Sequence, residues 1–194
     1  MLELLKVQIL FQCRTVVVEH DRLQRTLVAR DVHHETGFDA WKQRDQARIR
    51  AFFEAPAFFE PWCAIQAMLT AAANAKKGLW GVAGNTKAAA EREPLRQALA
   101  VPDESPLKNV DHRNRWDHFD EKIDHWWKHS RAKNYVDMSF VDQKVPESAG
   151  MADEDTFRAY SRVTGEVVFW GDRFNLHELA HEAERIATNA PPGF

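Results

Sequence analysis

From Leu2 to Leu27 the chain contains neither glycine nor proline, and its apolar residues recur at steps of three and four. Placed 100° apart, Leu2, Leu5, Ile9, Cys13, Val16, Leu23 and Leu27 fall on one stripe, with His20 as its only polar member. A stripe of that length specifies a long amphipathic helix that must be covered along one whole side, which favours a helical bundle. Val16-Val17-Val18 prefers a strand locally, but three residues do not outweigh the surrounding period. His20 is expected at the rim of the core.

The rest of the chain reads mostly as helix. The segment His33-His34-Glu35-Thr36-Gly37 is read as a break, followed by a helix from Ala40 to Glu54 that Pro56 ends or kinks. A third helix is expected from Trp62 to about Lys77, closed by Gly78 and Gly81. Asn85 then caps a helix through Ala100 that Pro94 divides in two. Residues 101–109 read as a loop, 112–128 as a helix and 130–155 as a long loop. Residues 157–170 alternate on either side of Val163-Thr164-Gly165, which predicts a β-hairpin with the glycine at its turn. A last helix from Leu176 to Asn189 stops before Pro191. The expected fold is mainly α: a helical bundle domain over 1–130, a loop over 131–155, and over 156–194 a hairpin and terminal helix packed on the bundle.

A chain of 194 residues with 44% hydrophobic residues can bury one full core. Its net charge of −3, with 28% charged residues, argues against the broad cationic surface that nonspecific binding to duplex DNA needs, while leaving room for a local basic cleft. The opening MLELLKVQILFQC is interrupted by Glu3, Lys6 and Gln8 and is followed by no cleavage site, so it does not read as a signal peptide. No apolar run is long enough to span a bilayer. A cytoplasmic protein without membrane partners is expected, with Cys13 and Cys63 as two buried free thiols.

Two strings compete as sites. The first, HELAH, covers residues 177–181. Histidines at i and i+4 can share one zinc, with the intervening glutamate as general base. His177 and His181 are therefore the candidate metal ligands of a zinc-dependent hydrolase. Only thirteen residues follow His181, however, and Glu182 and Glu184 lie on the same helix, so a third ligand is missing. Asn175 and Glu178 instead have the spacing of a capping box, and Leu176, Leu179, Ala180, Ala183 and Ile186 supply a packing face. The expected role of this segment is structural, with neither metal nor cofactor.

The second string runs HRNRWDHFDEKIDHWW from His112 to Trp127. On a helix, Trp116, Phe119, Ile123, Trp126 and Trp127 gather on one side as expected core, while Asp111, Asn114, His118, Glu121 and His125 gather on another. Asn114 and His118 are immediate neighbours. Arg113 stands about 140° from His118 around the axis. An arginine can hold a phosphate with two parallel hydrogen bonds, and a histidine can move a proton near neutral pH. That pair suits cleavage of RNA without metal. The bland alternative is a solvated face carrying local charge pairs. Four histidines, His112, His118, His125 and His129, also allow adventitious metal binding.

The pattern R-N-x-x-x-H over Arg113, Asn114 and His118 resembles the motif of the HEPN superfamily. The continuation HFDEKID is also similar to segments of bacterial helical proteins that carry RN…HFDE followed by Arg or Lys. The resemblance implies a homodimeric helical bundle that acts as a metal-independent endoribonuclease, of the kind found in toxin–antitoxin and defence systems. By residue it implies Arg113 at the phosphate, Asn114 orienting and His118 transferring a proton, with RNA as the partner. An inactive helical dimer that binds a nucleotide or a protein is the alternative of a different class.

Overall fold

The computed structural model describes residues 1–82, 84–110, 118–131, 133–142 and 153–190, without the side chains of 32–36. Its first element, α1, spans Leu2–Lys42. The predicted stripe is its inward side: Ile9, Cys13, Val16, Leu23 and Leu27 are buried and His20 is half-buried at the rim. The expected break at 33–37 is absent, and the backbone stays helical through Gly37. Gly37 serves packing here. A Cβ on it would stand 2.3 Å from the Phe52 ring, so the missing side chain is what lets the next helix fold back onto α1. The turn comes later, at Arg44, whose φ of 54° lies in the left-handed region.

Asp45 caps α2, Gln46–Glu54, by accepting from the Arg48 amide at 3.1 Å. The next helix, α3, spans Pro56–Trp80 and begins six residues earlier than expected. Pro56 takes its first turn, where the missing N–H costs nothing, and Pro61 is tolerated inside because buried Trp62, Ala64 and Ile65 hold the following turn in the core. Gly78 does not end this helix. It lies against Ile9, whose Cγ1 would be 2.6 Å from an added Cβ. With Ala64, Ala71, Ala72 and Ala75 also buried, α1 and α3 can approach closely. As predicted, Asn85 caps and Pro94 divides: α4 spans Thr86–Glu91 and α5 Glu93–Ala98. Buried Arg96 on α5 donates to the Leu79 carbonyl at 2.8 Å and the Ala89 carbonyl at 2.9 Å, tying α5 to the end of α3 and to α4.

After a 3₁₀ turn at Pro106–Asn109, helix α6 spans Phe119–His129, and the terminal helix α7 spans Leu176–Asn189. All five residues expected to pack from α7 are buried, and they complete the core against α1. Glu182, buried on α7, accepts from Ser105 Oγ at 2.8 Å and from Arg185 at 2.7 and 3.0 Å, which anchors the loop before α6 to the terminal helix.

The predicted hairpin is present as β2, Arg158–Ser161, and β3, Glu166–Phe169, with Gly165 at φ 70°. It is the inner pair of a larger sheet. Strand β1, Ser139–Val141, lies parallel to β2, and β4, Asp172–Asn175, lies antiparallel to β3, in the order β1-β2-β3-β4. The segment read as loop thus supplies an edge strand of three residues, too short to show a period. Tyr160 and Val167, paired across the hairpin, join the helical core, while Ala159, Val168 and Val141 cluster on the other face.

Candidate functional site

Helix α6 departs most from expectation. Arg113, Asn114 and Trp116 lie outside the described residues, so the part of the motif helix that was read over 112–117 does as well. His118 is the residue before the first helical turn, with φ −110° and ψ 34°, and its ring is exposed. Its Nδ1 lies 3.2 Å from Glu121 Oε1. The helix packs against the sheet through Phe119, whose ring centroid is 6.2 Å from Phe157, 6.3 Å from Phe169 and 5.7 Å from Trp170. Of the other residues expected in the core, Trp126 is buried, but Trp127 is 63% exposed and Ile123 37%. The physical reason is support: the ring contacts from α6 toward the sheet come from Phe119 and Trp126, two turns apart, among the described residues.

Trp126 fixes the far end of the helix. Its Nε1 donates to Asp155 Oδ1 at 2.7 Å, and Ser130 Oγ donates to the same oxygen at 2.9 Å. The Trp126 ring stands edge-on to Phe157 at 5.1 Å, and the Tyr135 ring stacks on Phe157 at 4.9 Å and 6°.

Steps of four, three and four place His118, Lys122, His125 and His129 on one side of α6. The rings of His125 and His129 stack at 4.1 Å, and His129 Nδ1 lies 2.7 Å from the His125 carbonyl. Between this side and the β3–β4 turn opens a pocket of about 200 Å³. It is lined from α6 by Lys122, His125, Trp126 and His129, and beyond the helix by Ser130, Glu154 and Trp170. Trp170 is unusual in two ways. Its backbone is left-handed at φ 51°, rare for a bulky residue, and its Nε1 is buried without a hydrogen-bond partner among the described residues. Trp170 is absent from the sequence-derived candidates because the predicted hairpin ends at that residue. The signal was the dipeptide Trp170-Gly171, with both φ positive, holding the turn position usually given to Asn-Gly or Asp-Gly.

The other string is committed differently. Asn175 Oδ1 accepts from the amides of His177 at 2.9 Å and Glu178 at 3.1 Å, the expected N-cap, without the reciprocal bond from the Glu178 side chain that a full capping box adds. His177 is half-buried, with its ring edge-on to His20 at 5.3 Å and its Nε2 3.4 Å from the Tyr160 hydroxyl, while His181 is exposed. Burial first, then the neighbouring His177, lowers the pKa of His20, and burial raises that of Tyr160. Among the described residues no three His, Cys, Asp or Glu side chains converge as a metal site. No described helix is long and apolar enough to cross a membrane. Both cysteines are free, as expected, but Cys63 is exposed rather than buried, since it faces outward from α3. Comparison with protein-family models, with curated proteins and with solved structures finds no match.

Proposed function

We propose that this chain is a metal-independent endoribonuclease in which Arg113, Asn114 and His118 act at the scissile phosphate. The observation that carries the reading is that Lys122, His125 and His129 line up on one side of α6 with His118 at its N-cap, a row of imidazole and cationic groups that follows the motif in sequence. A histidine takes the proton of a ribose 2′-hydroxyl, and that oxygen attacks the adjacent phosphorus. The bond to the 5′-oxygen breaks, and the leaving oxygen takes a proton from a second histidine. The products are a 2′,3′-cyclic phosphate and a 5′-hydroxyl. Arg113 would stabilise the charge that builds on the phosphoryl oxygens. A second copy of the chain would bring its own Arg113 and His118 to the same phosphate, so the active form is a homodimer.

The test is cleavage of labelled RNA by purified protein in the presence of chelator. Activity is expected to persist there, to fall about 10²–10⁴-fold in His118→Ala, and to fall in Arg113→Lys, because a point charge cannot replace the planar fork. RNA left intact by a well-folded dimer would leave a binding module as the correct reading.

A further inference from the structure

We propose that the pocket between α6 and the β3–β4 turn is a nucleobase subsite for single-stranded RNA. The choice of nucleic acid rests on the reading above; the shape and chemistry of the pocket stand independently. At about 200 Å³ it is smaller than the roughly 300–1,000 Å³ of drug-sized sites and suits one planar ring system. Four aromatic side chains line it: the indoles of Trp126 and Trp170 and the imidazoles of His125 and His129, which stack on each other. Aromatic faces accept any base, because every base presents a π-face.

The pocket's polar groups sit where a nucleotide needs them. Lys122 lines the pocket one turn from His118 and provides a point charge for a phosphate. Ser130 is already bonded to Asp155, which leaves the exposed Glu154 carboxylate to accept from the hydrogen-bonding edge of a base. Trp126 cannot swing away, since its Nε1 is held by Asp155. Trp170 is held in a left-handed backbone conformation that a glycine would adopt without cost, and it presents its indole to the pocket from there. The two-residue turn between β3 and β4 imposes that conformation and so fixes where the indole sits. A duplex cannot offer an unstacked base, so the site selects single strands.

The probe is a fluorescent 2′-O-methyl RNA hexamer, which lacks the attacking hydroxyl and so separates binding from cleavage. Wild-type protein is expected to bind it, and to bind the same sequence as a duplex more weakly. Trp170→Ala should weaken binding by about five- to a hundred-fold, the range for one lost base stack, with Trp170→Phe retaining part of it. Lys122→Ala should reduce the slope of log affinity against log salt by about 0.7, the value for one phosphate contact on a single strand. Lys122 and His125 lie on the outer side of α6, so their alanine variants keep the test decisive even if Trp170→Ala fails to fold. Wild-type affinity in Lys122→Ala and His125→Ala, or equal binding of duplex, overturns the subsite. If those variants bind normally while His118→Ala abolishes cleavage, the subsite fails and the nuclease stands. If the hexamer binds as expected and no RNA is cut, the subsite stands and the nuclease fails.

Discussion

Gly165 shows how much one missing side chain can decide. Its φ of 70° suits glycine, and a Cβ there would lie 2.5 Å from His177 Cγ, so the hairpin turn and the first turn of α7 share the same space. Gly165→Ala should lower stability by about 1–3 kcal/mol, from the left-handed backbone and the displaced imidazole, measured as a shift in urea midpoint. Next to it, His20 makes stability depend on pH. Its pKa is depressed below 6.5 by burial and by His177, against the smaller opposing pull of Asp21 and Glu184. As pH falls through 6.5 the unfolded chain therefore binds a proton that the native site resists, and stability drops. The gap in urea midpoint between wild type and His20→Gln should accordingly change between pH 7.5 and 5.5, to the disadvantage of wild type at the acid end. A gap independent of pH would remove His20 from this role. The two thiols should also part company. Burial pushes Cys13 up to about 12, whereas Cys63 is exposed. Native protein at pH 8 should therefore react at one thiol with iodoacetamide and denatured protein at two, with mass mapping the fast site to Cys63.

At the level of elements, the periodic helices were legible and their ends were not. The stripe of α1 and the packing face of α7 are long enough for a three-to-four period to emerge, and Asn85 and Asn175 mark their helix starts by the same local chemistry in sequence and in structure. Gly37 and Gly78, read as breakers, lie within helices because Phe52 and Ile9 occupy the space their side chains would fill. Strand β4 escaped notice because its turn uses a tryptophan where an asparagine or aspartate is usual. Arg96 gives a test of how short elements are held. It satisfies carbonyls at Leu79 and Ala89 and pairs with Glu93. Arg96→Ala leaves the C-terminal carbonyl of α3 buried and unpaired, and should cost about 1–3 kcal/mol in chemical denaturation. A loss no larger than that of an exposed control such as Arg50→Ala would show that α5 is held by its apolar residues alone.

Across the whole molecule there are two kinds of support. Helices α1, α3 and α7 share one continuous core, while α6 rests on an aromatic seam and a buried aspartate. Amide hydrogen exchange should therefore be faster in α6 than in the buried turns of α1 and α3. Trp126→Phe, which loses the bond to Asp155, should speed exchange in α6 and leave the other helices unchanged; uniform acceleration would mean that α6 is part of the global unit. The sequence by itself determined the mainly helical class, the inward stripe of α1, the cap and packing face of α7 and the hairpin turn at Gly165, because each depends on residues within about two turns of one another. Tertiary structure decided the rest. It took α6 onto the sheet, left Trp127 exposed and brought Trp170 across to Lys122 and the histidines, because those outcomes depend on which distant surfaces remain uncovered once the long helices have packed.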